Sequence, residues 1–409
     1  MNRREGARAP RIPLSDAVPY ISVALAAFVV TYLATPLAEK LARRLDAVDY
    51  PSKRRINTHP VPRMGGVAIF AGLAAALIVQ YFGTVCLGWP PVLVSHPSMN
   101  INYPVLAIAV LIVFLTGAVD DVRQLSPKAK LAGQLLAAVV AVAGGLVISQ
   151  VVDPFDSGAK LQLGFWGYPI TVFYLVAFAN IINLIDGLDG LATGISAIAS
   201  LSMLNYALVF GRADAAALAL SIAAACVAFL RFNFHPARIF LGDSGALMLG
   251  FLLGVVSLLN VSRTAALTSM LVPLIVAGVP IIDTFSAIVR RTRAHVSMDV
   301  ADKGHIHHRL IQEGYNQRQA VLIIYGWCVL LAVGASVIVQ VPVLPRVAIF
   351  LVLALLSLAV AKHLRLFEPV LRHHYNEQTH EDEIVTPDDP AFAEEERAAK
   401  RDRNERSKE

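Results

Sequence analysis

The segment Asn183-Leu-Ile-Asp-Gly-Leu-Asp-Gly190 places two carboxylates and two glycines between two long apolar runs. A charged side chain is costly in hydrocarbon, so acids at the ends of apolar runs indicate a functional site in a membrane protein. The same pattern recurs at Asp120-Asp121 and in Gly242-Asp-Ser-Gly245. Three such motifs in one chain indicate a shared anionic pocket.

Apolar residues make up 56% of the 409 residues, which is typical of a polytopic membrane protein and excludes a single large soluble core. We predict an all-α membrane protein with about 11 transmembrane helices, because eleven apolar runs can cross about 30 Å of hydrocarbon. The predicted spans are residues 17–36, 65–85, 103–119, 129–149, 170–185, 190–210, 213–232, 245–260, 265–289, 319–340 and 343–361. Residues 1–16 form an N-terminal tail, residues 17–365 the transmembrane domain, and residues 366–409 a charged, partly disordered tail.

Lysine and arginine predict the orientation of these spans, because positive residues in short loops stay on the cytoplasmic side. The segments 37–64 and 290–318 are rich in both residues, whereas 86–102 has neither and 150–169 has only Lys160. Eleven spans then place the N-terminus outside, and the C-terminus and every acidic motif on the cytoplasmic face of the cell membrane. Four arginines of the N-terminal tail oppose this assignment; they are Arg3, Arg4, Arg8 and Arg11.

Each acidic motif has a structural and a functional interpretation. Asp120 and Asp121 are either interfacial acids neutralised by nearby bases, Lys130 among them, or a pair that holds a divalent cation or a proton. Asn183, Asp186 and Asp189 are spaced by three, so on a helix they would share one face and converge on a ligand. The alternative for them is a set of structural acids at a helix end.

Asp243 stands between two glycines at the predicted start of a helix, where it is either a simple cap or a ligand of a hard cation. Mg²⁺ fits such a position, since it is held by one or two carboxylates together with substrate phosphates.

The basic segment His305-Ile-His-His-Arg309 follows a cluster of arginines in the loop after the ninth predicted span. We interpret it as an anion-binding strip, since arginine and protonated histidine form charge-assisted hydrogen bonds with phosphate oxygens. With Asp299 and Asp302 nearby, a transition-metal site is the alternative. Asp283, inside the ninth span, either pairs with a base or faces the pocket. A second basic run ends in His59-Pro-Val-Pro-Arg63.

Five motifs occur in the order of a known family. They are Pro62-Arg-Met-Gly-Gly66, Asp120-Asp121, Asn183-Leu-Ile-Asp-Gly-Leu-Asp-Gly190, Asn233 with Asp243-Ser-Gly245, and His305-Ile-His-His-Arg309. Together, over about residues 20–365, they resemble the polyprenyl-phosphate N-acetylhexosamine-1-phosphate transferases. The first and last motifs resemble the branch that transfers N-acetylglucosamine (GlcNAc) 1-phosphate to undecaprenyl phosphate.

The resemblance implies a cytoplasmic active site, Mg²⁺ with Mn²⁺ as a substitute, UDP-GlcNAc as donor, undecaprenyl phosphate as acceptor, and release of UMP. It implies that Asp120 orients or deprotonates the acceptor, with Asp121 and Asp186 completing the catalytic group. Asp243, Asp189 and Asn183 are then the expected metal ligands. The expected substrate-binding residues are His305, His307, His308, Arg309, Asn233, Arg63 and His59.

Alternatives remain within and outside this family. One alternative is a lipid I-forming phospho-MurNAc-pentapeptide transferase, although that branch usually has three histidines followed by an acid and a lysine near the position of His59. Another is an enzyme with a different UDP-HexNAc donor. A proton-coupled transporter would carry its acids near the membrane midplane within repeats, and an intramembrane aspartyl protease would need no histidine–arginine strip. We expect contact with membrane lipids and no nucleic-acid partner. A homodimer is an open alternative to a monomer.

Overall fold

The computed structural model describes residues 14–50, 59–93, 100–152, 160–260, 278–293, 304–364, 366–367, 372–376 and 381–385. Twelve α-helices lie in these ranges. They are α1 Leu14–Arg44, α2 Gly65–Leu87, α3 Tyr103–Arg123, α4 Pro127–Ala143, α5 Gly167–Ile185, α6 Leu191–Val209, α7 Ala213–Asn233, α8 Gly242–Asn260, α9 Gly278–Arg293, α10 Ile306–Gln312, α11 Gln317–Gln340 and α12 Val343–His363.

Short strands form three separate two-stranded antiparallel sheets. The pairs are β1 Val48–Asp49 with β2 Val61–Pro62, β3 Gln150–Val152 with β4 Lys160–Gln162, and β5 Arg372–Asn376 with β6 Glu381–Val385. The last pair lies in the predicted charged tail, most of which is outside the described residues.

The predicted all-α membrane fold is confirmed, whereas the count of 11 is not. Within the described ranges, nine helices are long and apolar enough to cross a membrane. The fourth predicted span, 129–149, ends early as a helix because α4 stops at Ala143, after 17 residues, and Gly144-Gly145 follows. The first part of the ninth predicted span, 265–277, lies outside the described residues. The spans at 190–210 and 213–232 are two helices joined by a tight turn, as predicted.

Helix α8 is the central helix of the described fold. Every residue from Ser244 to Asn260 is buried, and α2, α3, α5, α6 and α7 contact it. Glycines in α2 and α3 allow these helices to approach the first turn of α8 closely. A Cβ on Gly66 would clash, because it would lie 2.2 Å from the backbone nitrogen of Gly245. A Cβ on Gly117 would lie 2.4 Å from the carbonyl oxygen of Asp243. The backbones of α2 and α3 therefore pack directly against the residues that surround Asp243.

The chain divides into two compact units, and each is described by itself below. Unit 1 comprises residues 1–281 and 315–356, and unit 2 comprises residues 282–314 and 357–409. The three acidic motifs lie in unit 1, whereas the histidine–arginine segment lies in unit 2.

Candidate active site

The three acidic motifs of the sequence meet at one end of the helices of unit 1. Helices α3 and α5 end there, and α4 and α8 begin there. The amide Nδ2 of Asn183 donates to Oδ1 of Asp243, and the carboxylate of Asp121 accepts from the backbone N–H of Asp243 at 2.7 Å. We call Asp120, Asp121, Asp186, Asp189 and Asp243 the carboxylate cluster.

Lys130, in the first turn of α4, joins the members of this cluster. Its Nζ lies 2.7 Å from Oδ1 of Asp243 and 3.1 Å from Oδ2 of Asp120. The same ammonium donates to Oδ1 of Asn183 at 3.2 Å. Lys130 therefore connects the ends of three helices through one positive charge.

From the sequence, Lys130 was expected only as a base beside Asp120 and Asp121, and its contacts with Asp243 and Asn183 were not predicted. A signal was present, because the N-terminal turn of a helix carries a partial positive charge and disfavours lysine. A lysine three residues after Pro127, which opens α4, therefore needs carboxylates close by.

The adjacent residues Asp120 and Asp121 have different partners. Asp121 is 1% exposed, and its two oxygens accept from the backbone N–H groups of Asp243 and Ser244. It therefore supplies, from α3, the cap that the first turn of α8 needs. Asp120 accepts from the N–H of Leu125 at 2.5 Å and directs its other oxygen at Lys130.

Gly242 makes the approach of Asp121 to α8 possible. Its φ of +73° favours glycine, and a Cβ at this position would lie 2.7 Å from both carboxylate oxygens of Asp121. The absence of a side chain at Gly242 therefore leaves room for Asp121 of α3 to contact the first turn of α8.

The expectation that Asn183, Asp186 and Asp189 share one helix face is wrong. Helix α5 ends at Ile185, and the chain turns before α6 begins at Leu191. Gly190, with φ of +78°, forms the N-cap of α6. Two glycines among the acids break the helix, so that Asp186 and Asp189 lie in the turn rather than on α5.

Asp189 holds the segment that leads into α8. Its Oδ2 lies 2.8 Å from Nδ1 of His235 and accepts from the N–H of Ala237 at 3.0 Å. Oδ2 is therefore already used within the protein, whereas Oδ1 has no hydrogen-bond partner among the described residues.

Asp186 is different, since its side chain forms no hydrogen bond or ion pair with the residues that the structure describes. Burial raises its pKa well above the usual value, and the negative charges of Asp243, Asp121 and Asp189 raise it further. An ionised Asp186 is therefore unfavourable unless a positive charge comes to this position.

The donor set fits a hard divalent cation that is completed by its substrate. Within the described ranges, no three or more His, Cys, Asp or Glu side chains converge closely enough to hold a metal alone. Mg²⁺ does not need such a group, because it is held by one or two carboxylates together with substrate phosphates and water. The oxygen ligands of Asp186 and Asp243, with negative charge in excess, meet that requirement.

The other predicted residues of unit 1 are placed as follows. Asn233 is 3% exposed, accepts from Oγ1 of Thr193 and donates to the carbonyl of Ile239. The backbone of Arg63 forms a bridge with Phe240, and its side-chain Nε is buried without a hydrogen-bond partner in the described ranges. His59 is exposed. The roles of all three in substrate binding stay predictions, and the amide of Asn233 is already used within the protein.

Residues 305–309, which we call the histidine strip, begin the short helix α10 of unit 2. His305 precedes the helix, and its Nδ1 lies 2.8 Å from Oδ2 of Asp283. The rings of His305 and His307 are parallel with centroids 5.8 Å apart, and the rings of His307 and His308 are 4.3 Å apart. Arg309 is buried. Asp283, which the sequence left undecided, thus pairs with a histidine.

His307 is a weakly basic member of the histidine strip. It is 3% exposed, and its Nδ1 has no hydrogen-bond partner among the described residues. Burial, with a smaller contribution from His308, lowers its pKa to about 3. Asp299 and Asp302, the acids of the alternative transition-metal site, lie outside the described residues.

Comparison with known proteins adds independent findings. The model of glycosyl transferase family 4 matches residues 103–261 of this chain. A probable undecaprenyl-phosphate N-acetylglucosaminyl 1-phosphate transferase of Bacillus subtilis (strain 168) is 39% identical over 303 residues, which are 73% of this chain and 80% of that protein.

Two further relatives differ in their named reactions. A decaprenyl-phosphate N-acetylglucosaminephosphotransferase of Mycolicibacterium smegmatis is 35% identical over 77% of this chain and 80% of its own length. A phospho-N-acetylmuramoyl-pentapeptide-transferase of Desulforudis audaxviator is 33% identical over 77% of this chain and 97% of its own length.

Proposed function

The chain belongs to glycosyl transferase family 4, and on that premise we propose that it transfers GlcNAc 1-phosphate from UDP-GlcNAc to undecaprenyl phosphate and releases UMP. The relative with the highest identity quoted above is named for this reaction, and the relative named for the pentapeptide reaction is more distant. We propose the reaction as the first membrane step in making a cell-envelope polysaccharide or teichoic acid.

The observation that carries this proposal is the excess of carboxylates around Lys130. Asp120, Asp186 and Asp243 lie at the ends of apolar helices, where unbalanced charge is costly. A divalent cation, brought in with the pyrophosphate of a soluble nucleotide-sugar substrate, would supply the positive charge that this cluster lacks. Such a site suits phosphoryl transfer, which depends on positioning and on charge stabilisation.

The proposed reaction is an in-line displacement. A phosphate oxygen of undecaprenyl phosphate attacks the β-phosphorus of UDP-GlcNAc, the bond from that phosphorus to the bridging oxygen breaks, and UMP leaves. A phosphate monoester has a second pKa of about 6, so the acceptor is largely dianionic at neutral pH. A strong base is therefore unnecessary.

The residues of the cluster take roles that follow from their contacts. Asp120, held by Lys130 and the N–H of Leu125, orients the acceptor rather than deprotonating it. Asp121 keeps Asp243 in place through the first turn of α8. Asp243, Asp189 and Asn183 are the proposed metal ligands, and the unpartnered Asp186 fits beside them. Mg²⁺, when bound there, neutralises charge on the pyrophosphate and on the leaving group.

The donor-binding role of the histidine strip and the cytoplasmic orientation are parts of the same proposal. Arginine and histidine side chains suit phosphate oxygens, and the basic loops 37–64 and 290–318 indicate the cytoplasmic face. Two C-terminal fusions test the orientation. A fluorescent protein that matures only in the cytoplasm should be fluorescent, and an alkaline phosphatase that is active only outside the cytoplasm should be inactive. An active phosphatase fusion would contradict it.

An assay of the purified protein tests the reaction itself. UMP release should require both UDP-GlcNAc and undecaprenyl phosphate, cease in EDTA, and recover with Mg²⁺ or Mn²⁺. A panel of UDP-GlcNAc, UDP-GalNAc and UDP-MurNAc-pentapeptide then distinguishes the donors. Preference for the pentapeptide donor would favour the alternative reaction, and no turnover with any donor would reject the proposal.

A further inference from the structure

A buried carboxylate in unit 2 is not used by the reaction described above. Asp283, in α9, is 1% exposed. Its Oδ2 lies 2.8 Å from Nδ1 of His305, and its Oδ1 accepts from the backbone N–H of Ile306 at 2.8 Å. One side chain therefore fixes both the ring of His305 and the first residue of α10.

The second of these contacts alone would be an ordinary helix cap. A cap needs only one acceptor for a backbone N–H and is served equally well by serine, threonine or asparagine. Asparagine does this for the next helix, where Oδ1 of Asn316 accepts from the N–H of Gln319. The contact of Asp283 with His305 is what requires an acid, since a carboxylate accepts at both oxygens.

The contact also determines which nitrogen of His305 is available. A carboxylate has no proton to donate, so Nδ1 carries the proton and Nε2 is left for another partner. Within the described residues, Nε2 of His305 has no hydrogen-bond partner. The ring is therefore held at one nitrogen and open at the other, as in sites where a carboxylate orients a histidine toward a substrate.

We propose that Asp283 is a positioning residue that holds the ring of His305 so that its Nε2 faces the nucleotide-sugar donor and forms a hydrogen bond with it. This inference rests on the proposed function. The carboxylate fixes the orientation of the ring through Nδ1 of His305 and, through the N–H of Ile306, the start of the helix that carries the rest of the histidine strip.

A comparison of His305 with His307 supports a specific role for His305 within the histidine strip. Burial lowers the pKa of His307 to about 3, so that ring is neutral at the pH of the cell. Within the part of the chain that the structure describes, His307 has no carboxylate within hydrogen-bond distance of its Nδ1. Two histidines separated by one residue thus have different surroundings, and His305 is the one held by an acid.

A double-mutant cycle tests the proposal. The Asp283→Asn variant keeps an acceptor for the N–H of Ile306 but presents an amide to His305. We expect kcat/KM for UDP-GlcNAc to fall by about tenfold to a hundredfold, with KM for undecaprenyl phosphate unchanged. His305→Asn should show a loss of similar size. The double variant should be no worse than His305→Asn alone, because Asp283 acts through that ring.

The matched control is Asn316→Ala, which removes the cap of α11 and leaves Asp283 and His305 intact. It should lower the melting temperature without changing the ratio of the two KM values, and its effect should add to that of His305→Asn.

Each contrary result has a distinct meaning. Additive losses in the cycle, or Asp283→Asn with more than half of the wild-type kcat/KM, would overturn the role of Asp283. An equal rise of both KM values in Asp283→Asn would assign it to structure alone. Wild-type protein that releases no UMP would instead reject the proposed function.

Discussion

Two polar clusters lie at opposite ends of α3 and differ in their balance of charge. At the start of the helix, the hydroxyl of Tyr103 donates to Asp214 at 2.9 Å, and Arg212 pairs with Asp214 at 3.2 Å. One cation there meets one anion. At the other end, Asp120 and Asp243 share the single ammonium of Lys130, and Asp186 has no partner among the described residues.

The comparison separates a structural cluster from a functional one. Buried charges cost free energy unless they are paired, and the cluster at Tyr103 is paired within the chain. The carboxylate cluster carries more negative charge than its own side chains neutralise. A protein retains such an imbalance where a ligand supplies the missing charge. The difference therefore indicates that the functional site lies at the end of α3 that carries Asp120.

The largest expected effect on turnover is that of Asp243→Asn. The change keeps the shape of the side chain but removes the charge that faces Lys130 and the proposed metal. We expect kcat to fall by at least about a hundredfold, or roughly 2.7 kcal/mol in the barrier, while the protein stays monodisperse in detergent. Retention of more than about a tenth of the wild-type kcat would exclude Asp243 as a principal metal ligand.

Lys130→Met should have the next largest effect. It leaves Asp120 and Asp243 without their shared cation, so that the two carboxylates repel each other and one of them takes up a proton. We expect kcat to fall by about tenfold to a hundredfold, with Lys130→Arg as the charge-retaining control. Methionine and arginine variants with equal activity would show that the charge at this position is unimportant.

Asp214→Asn tests the cluster at the start of α3 and should leave turnover almost unchanged. Arg212 becomes a buried charge without its partner, which should lower the stability of the fold by about 3 kcal/mol. Thermal unfolding measures that loss, and kcat/KM of the folded fraction should stay within about twofold of the wild type. A selective fall in kcat would show that this cluster also serves the reaction.

The smallest expected change is one of stability, measured for Asp186→Asn in the absence of metal and substrate. The pKa of Asp186 is raised, so its contribution to stability is present at acid pH and is lost as the pH rises through the raised value. In EDTA at pH 8 the asparagine variant should therefore melt about 1–3 °C higher than the wild type.

That advantage should disappear at pH 4, where Asp186 is protonated, and at pH 8 with saturating Mg²⁺ and UDP-GlcNAc. An asparagine variant that is less stable than the wild type in EDTA would mean that Asp186 has a partner within the protein.

Much of the fold could be predicted from where glycine and proline interrupt apolar runs. The predicted start of the second span at residue 65 coincides with Gly65, where α2 begins, and the predicted end of the fifth span at residue 185 coincides with Ile185, where α5 ends. The error at 129–149 has a physical cause, because residues 144–149 are apolar enough for a span although α4 ends at Ala143. Hydropathy alone does not distinguish an apolar helix from an apolar extended segment.

The candidate site was predicted in its residue types but not in its contacts. The acids were visible because they stand beside apolar runs, which makes each of them expensive. Lys130 was expected near Asp120, but its contact with Asp243 was missed because that residue is 113 positions away along the chain. Asp283 could not be assigned for the same reason, since its partner His305 is 22 residues away.

The sequence by itself determined that this is a multi-pass membrane protein with acids at helix ends, and its motifs indicated the transferase family. These properties depend on composition and on local spacing, which a chain carries without being folded. Only the tertiary structure decided that adjacent residues have different partners: Asp121 caps α8, whereas Asp120 forms an ion pair with Lys130. Successive residues on a helix point about 100° apart, so the helices that pack on either side determine the partner of each carboxylate.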